Sequence, residues 1–242
     1  MALALMCSLI VCSSFFFSNP ELMVLVTAGT CIGVLLPDIH MTRPKRLKLR
    51  SFAWLIVQFP RQICAPLLCR IYAYTHHPVQ DPGDKRLIHS VPGALFVFAC
   101  TATILLVPAS AAGNPVVTGM ATVFLAGVLL GICLHLLEDL CTRKGIFPLF
   151  PFSPWTVAGS IRPCDRTDPR IGQYHIQHCT VLLVFFGLDS LGILAPSLFI
   201  LLSIAGLSIC LGTMVWLSDI SIRKSGRMQD EKKQPVFAEQ HQ

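Results

Sequence analysis

His135, Glu138 and Asp139 close a run that is otherwise membrane-like. Residues 116–134 are almost wholly apolar, and the same helical pattern carries on through these three ionisable side chains until Gly145 and Pro148 stop it. On a helix, positions four apart stack on one face and positions three apart lie close beside it. His135 and Asp139 therefore present an imidazole and a carboxylate to one point, with Glu138 near that face. Those two donor types together can hold a divalent metal ion. The plainer reading of this stretch alone is a packed histidine and two carboxylates marking the water interface; ionisable residues near membrane helix ends are functional candidates by default.

Two further stretches repeat the pattern. An apolar segment at about 22–36 ends in Leu35-Leu36-Pro37-Asp38-Ile39-His40, and the turn-rich residues 75–90, THHPVQDPGDKRLIHS, carry His76, His77, Asp81, Asp84 and His89. Neutral imidazole with carboxylate suits zinc, with manganese or iron as alternatives. A metal held in this way can lower the pKa of water towards neutrality for hydrolysis. Glu138 or Asp84 is the expected general base. His175 and His178, three apart, are candidates to replace a ligand, whereas His76-His77 reads as a solvated pair. Ser90 lacks the partner pattern of a nucleophile, and no Gly-rich phosphate loop of the usual form is present.

The elements that must position these residues follow from composition. Of 242 residues, 53% are hydrophobic and 13% charged, with a mean hydropathy of +0.65, too apolar for a soluble domain of this length. The expected class is all-α: a multi-pass membrane helical bundle of about six spans with interfacial helices and a cytoplasmic cap loop. Of the 11 cysteines, most lie inside apolar runs as small hydrophobes, and none forms a CxxC pair, which removes a thiolate zinc site. The formal charge of +6 raises nucleic acid as a partner, but a readout patch is lacking and topology explains the charge better.

In order, residues 1–18 read as a retained first helix rather than a signal peptide, because they lack a basic start and a clean cleavage site. The second span follows at 22–36. Arg43, Lys45, Arg46, Lys48 and Arg50 then form a dense basic loop suited to anionic lipid headgroups, with binding of a phosphorylated substrate as the lesser reading. Pro60, Arg61, Pro66 and Arg70 divide 51–74 into pieces too short to span, so a pair of short interfacial or re-entrant helices is expected there. Spans at 91–109 and 116–141 flank a break at Gly113-Asn114-Pro115. Residues 142–174, rich in proline and aromatics, are expected to form an ordered cap at the membrane surface. Residues 175–217 divide into two spans around Gly187 to Pro196. Residues 1–217 thus form one integral membrane domain, and 218–242 a polar, mobile cytoplasmic tail.

This parse places all 19 Lys and Arg residues on one side, because the turns near 19–21, 109–115 and 188–193 contain none. By the positive-inside rule that side is cytoplasmic, with both termini on it, in the inner or plasma membrane. Asp38, His40, Asp84, His89, His135 and Asp139 then converge at one membrane face.

At those residues the chain resembles a known family. Leu35-Leu36-Pro37-Asp38, the motif closing on His89-Ser90, and His135-x-x-x-Asp139-x-x-Thr142-x-x-Gly145 followed by Leu149-Phe150-Pro151 are similar to the membrane-bound metal-dependent hydrolases typified by a LexA-regulated inner-membrane protein, a YdjM-like family. The resemblance runs from about residue 22 to residue 185. It implies a metal role for Asp38, His89, His135 and Asp139, and turn-shaping roles for Thr142 and Gly145. Where the family usually reads Asp-Ile-Asp-His, this chain has Asp38-Ile39-His40, and Asp84 stands where the family has the first histidine of its second motif.

The expected function is hydrolysis of an ester or phosphoester at the cytoplasmic membrane surface, on a lipid or phosphorylated substrate. The residues alone supply the metal site; the resemblance supplies the word hydrolase. A non-catalytic scaffold or a transporter with a vestigial metal site is the alternative, although the midsections of the spans carry few of the polar groups a transporter uses.

Overall fold

The computed structural model describes residues 2–13, 19–38, 49–75, 81–163, 165, 167–192 and 196–224. His40, the basic residues from Arg43 to Lys48 and the His76-His77 pair lie outside them. The elements are helices α1 (Ala2–Val11), α2 (Pro20–Leu35), α3 (Leu49–Phe59), α4 (Ala65–Tyr74), α5 (Lys85–Ile88), α6 (Val91–Ala111), α7 (Pro115–Cys141), α8 (Pro169–Ser190) and α9 (Pro196–Leu217), with two short strands, β1 (Trp155–Ala158) and β2 (Ser221–Lys224). The all-α membrane class expected from the sequence is the class observed.

Val91–Ala111, Pro115–Cys141 and Ser197–Leu217 are long and apolar enough to cross a membrane, with mean hydropathies of 2.1, 2.3 and 2.4. Helices α1 and α2 are apolar but shorter, at 10 and 16 residues, and the first half of α8 carries Arg170, Gln173, His175, Gln177 and His178. The two short helices expected in 51–74 are present, but Pro60 does not break the chain between them. A π-helical turn, Pro60–Cys64, joins α3 to α4 and keeps the backbone helical.

The boundaries have local causes. The Asn114 side chain accepts a hydrogen bond from the Val116 amide (2.9 Å) and Pro115 occupies the first turn, so α7 starts on a capped, pre-set turn. At its other end Thr142 donates to the Asp139 carbonyl (2.7 Å), and Gly145 holds a φ of 65° that favours glycine. A Cβ on Gly145 would strike the Val157 carbonyl oxygen. Thr142 and Gly145 thus shape the turn by which the chain leaves α7 for the cap.

Helix α7 is the central element and packs most extensively on α2. Gly29 and Gly33 of α2 face Gly127 and Gly131 of α7, and a Cβ on any of the four would overlap backbone of the other helix. Small-x-x-x-small pairs of this kind let two membrane helices meet backbone to backbone. The main core joins Leu36 of α2's end, Leu68 and Tyr72 of α4, Leu87 and Ile88 of α5, Val97 of α6, and Val128 and Ile132 of α7. On the other flank α1 packs against α8 and α9.

The cap is ordered, as expected, and β-structured where the sequence suggested only loop. Strands β1 and β2 pair antiparallel from Trp155 opposite Lys224 to Ala158 opposite Ser221. Residues 221–224, expected within the mobile tail, are therefore part of the fold. Arg170 binds this assembly together, donating to Asp168 (2.7 and 2.9 Å), the Ser160 hydroxyl (2.7 Å) and the Leu217 carbonyl (3.1 Å).

Candidate metal centre

The length of α7 determines where its chemistry sits. Its 27 residues rise roughly 40 Å at about 1.5 Å each, against about 30 Å of bilayer hydrocarbon. Some two turns remain beyond the apolar slab, and those turns carry His135, Glu138 and Asp139. The second contributor is α5, a single turn whose C-cap is His89, tied through Ser90 to the start of α6. The Ser90 hydroxyl donates to the Leu87 carbonyl (3.0 Å) and accepts from the Gly93 amide (3.2 Å), so it serves as a cap.

These elements bring His89, His135 and Asp139 together, with one ligand atom from each lying within 4.8 Å of the others. The two imidazole Nε2 atoms are 3.1 Å apart, and Asp139 Oδ2 lies 3.3 Å from His89 Nε2 and 3.8 Å from His135 Nε2. His89 is 3% exposed; His135 and Asp139 are partly open. The i,i+4 face expected of His135 and Asp139 is the face observed.

Second contacts fix which atoms carry lone pairs. His89 Nδ1 lies 3.1 Å from the Lys85 carbonyl oxygen, which can only accept, so the ring proton sits on Nδ1 and Nε2 points its lone pair into the cluster. The Val34 backbone is a hydrogen-bond partner of His135. Backbone carbonyls behind ligating histidines are the usual means of orienting them. Two imidazole nitrogens and a carboxylate oxygen thus meet at one point, and with the protons held on the far ring nitrogens the residues present fit a metal ion.

The other expected site residues are placed as follows. Asp38 lies three residues past the end of α2, where its charge acts on His135, outside the three-residue cluster. Asp84 caps α5, accepting from the Arg86 amide (2.9 Å), and pairs with the Arg86 guanidinium at 2.6 Å. That pairing raises the pKa of Arg86, chiefly through its hydrogen bond to Asp84. The same guanidinium lies over the rings of Phe147 and Phe150, 5.6 and 4.9 Å from their centroids, and so fastens the cap to α5. Glu138 lies outside the three-residue cluster; its charge interacts with that of its neighbour Asp139 and with Cys7 of α1 and His175 of α8. His175 and His178 bond back to the Ile171 and Tyr174 carbonyls, both at 2.7 Å, and are not in the cluster.

The family model of the YdjM inner membrane protein matches residues 1–216. The chain belongs to that family. No curated protein and no solved structure matches it. The match takes in all three clustered residues, the turn at Thr142 and Gly145, and nearly all of α9.

Lys85 escaped sequence reasoning. Its Nζ stands 3.2 Å from Asp139 Oδ2, and its position one residue after the Asp84 cap and four before His89 was the available signal. The facing glycine pairs of α2 and α7 were equally open to view as Gly29-x-x-x-Gly33 and Gly127-x-x-x-Gly131 inside apolar runs.

Proposed function

We propose that this inner-membrane-family protein is a metal-dependent hydrolase that cleaves an ester or phosphoester at the cytoplasmic surface of the membrane. The observation that carries the reading is the convergence of His89 Nε2, His135 Nε2 and Asp139 Oδ2 where α7 emerges from its apolar stretch. Separations of 3.1, 3.3 and 3.8 Å bracket the edge, about 3.4 Å, of a tetrahedron with bonds of roughly 2.1 Å. Three protein ligands with a fourth position open is the pattern of catalytic rather than structural zinc sites, and zinc is the ion we assign.

A zinc ion so held would supply Lewis-acid activation of water and of the substrate oxygen. The chain's own residues supply the rest. His89 and His135 are held in the ligating orientation by the Lys85 carbonyl and the Val34 backbone, and Asp139 balances the ion's charge. Asp84 is ion-paired with Arg86 and Glu138 lies outside the three-residue cluster, which favours a third carboxylate for the base role. Asp38, whose charge reaches His135, is assigned as the proton acceptor. Arg86, clamped over Phe147 and Phe150, holds the cap across the site. The six-span topology, with the cap and both termini cytoplasmic, belongs to the same proposal and rests on the segregation of Lys and Arg.

The test is turnover by purified full-length protein against a panel of carboxylic esters and phosphoesters, soluble and lipid-borne. Hydrolysis abolished by chelation, restored by zinc and lost in Asp139→Asn supports the reading. A zinc-loaded protein that turns over none of the panel contradicts it and favours a scaffold.

A further inference from the structure

We propose that Lys85 is the anion-binding residue of this site, and that the substrate it receives presents a phosphoryl group. The inference deepens the hydrolase reading and rests on the same cluster.

Both halves of Lys85 face the cluster. Its carbonyl accepts from His89 Nδ1 at 3.1 Å, and its ammonium stands 3.2 Å from Asp139 Oδ2. An ammonium has three donors, and among the described residues this one is matched with a single carboxylate oxygen while its side chain is 48% exposed, which leaves donors for the open side. Its neighbour Arg86 is tied to Asp84 through Nε and Nη2 and lies over the two phenylalanine rings. Among the described residues, Lys85 is thus the cation left to meet a ligand at the cluster.

Charge decides the class of ligand. With a divalent ion in place and with Asp139, Asp38 and Lys85 all counted, the site keeps a net positive charge. A neutral ester brings no charge to meet it on binding, whereas a phosphoryl group is anionic and offers several oxygens for the ion and the ammonium. Hydrolysis there forms a bond from water oxygen to phosphorus and breaks the bond from phosphorus to the ester oxygen. The leaving alkoxide takes a proton, giving an alcohol and inorganic phosphate. The product is therefore itself the simplest probe.

The experiment is a calorimetric titration of zinc-loaded, full-length protein in detergent with inorganic phosphate, comparing wild type, Lys85→Gln and Lys85→Arg at measured zinc content. Removing one hydrogen bond to a charged group predicts binding weaker by about ten- to a hundredfold in Lys85→Gln. Lys85→Arg retains binding, and zinc content is unchanged in both. Lys85→Met serves as a second neutral variant if Lys85→Gln does not fold. Undiminished phosphate binding by a zinc-loaded neutral variant overturns the inference, as does a zinc-loaded wild type that binds no phosphate. Competition separates the two sources of the anion. Displacement by phosphatidic acid in mixed micelles, and not by glycerol phosphate, assigns it to a lipid headgroup; the converse assigns it to a soluble ester, and failure of both overturns the inference. Lysine-dependent phosphate binding without turnover of any ester keeps the inference and removes the hydrolase reading.

Discussion

Asp139 and Glu138 are adjacent in sequence and divided by the helix. Asp139 Oδ2 meets both imidazoles and Lys85, while Glu138 lies outside that cluster and its charge also reaches Cys7 and His175. Asp139→Asn keeps the shape of the side chain but removes the charge that offsets a bound cation. We expect zinc affinity to fall by at least about tenfold, beyond the low end of what loss of an outer-shell partner costs. Glu138→Gln should leave zinc affinity within about threefold of wild type, since its carboxylate is not a ligand. Zinc titration of folded protein, verified by thermal midpoint in detergent, makes the comparison, and the reverse order would move the centre to Glu138. At this scale the sequence was informative about His135 and Asp139, because i,i+4 spacing follows from helix geometry alone, and about His89 through its turn-rich stretch and the motif closing on Ser90. Asp84 was less plain: a carboxylate two residues before an arginine at a helix start is as fit for capping as for catalysis, and the structure shows the cap and a 2.6 Å pair with Arg86.

Helix α7 was legible almost to the residue, because Asn114-Pro115 announces its start and the apolar run its length. The cap was not. Trp155–Ala158 and Ser221–Lys224 are four residues each, separated by two long helices, and neither strand is stable without the other. What brings them together is the packing of α8 and α9, reinforced by Arg170. That contact has a pH signature: hydrogen bonds from Arg170 hold the Asp168 carboxylate down to about 2. Because the folded pKa lies below the ordinary carboxylate value near 4, the contribution is complete above that value and is shed as pH falls towards 2. Thermal midpoints measured from pH 5 to 2 should decline less steeply in Arg170→Gln than in wild type; parallel declines would dissociate Asp168 from cap stability. A second prediction concerns the α2–α7 contact. Gly131 lies one turn before His135, and a Cβ there would fall on the Thr30 carbonyl oxygen. Gly131→Val should cost about 1–3 kcal/mol by overpacking. It should also weaken zinc binding, since it pushes His135 away from the Val34 backbone. Unfolding in detergent and zinc titration read the two effects separately, and an unaltered protein would show that the helices meet elsewhere.

For the whole molecule, the arrangement places chemistry at one end of an apolar bundle. The turn at Ala112–Asn114 between α6 and α7 lies a full span from His135 and Asp139, and its Asn114 caps the end of α7 opposite the cluster. Cysteine substitutions at Asn114 and Lys85, labelled from either side of sealed vesicles, should react from opposite sides, with the Lys85 position cytoplasmic. Labelling of both from one side would contradict the topology. The central claim is that a single ion joins α5 to α7 through His89, His135 and Asp139, and X-ray absorption at the zinc edge of the loaded protein tests it most directly. A first shell of nitrogen and oxygen at about 2.0–2.1 Å is expected. Two imidazole outer-shell signals are expected in wild type and one in His135→Ala. A sulfur shell near 2.3 Å, or a spectrum that His135→Ala leaves unchanged, would contradict it.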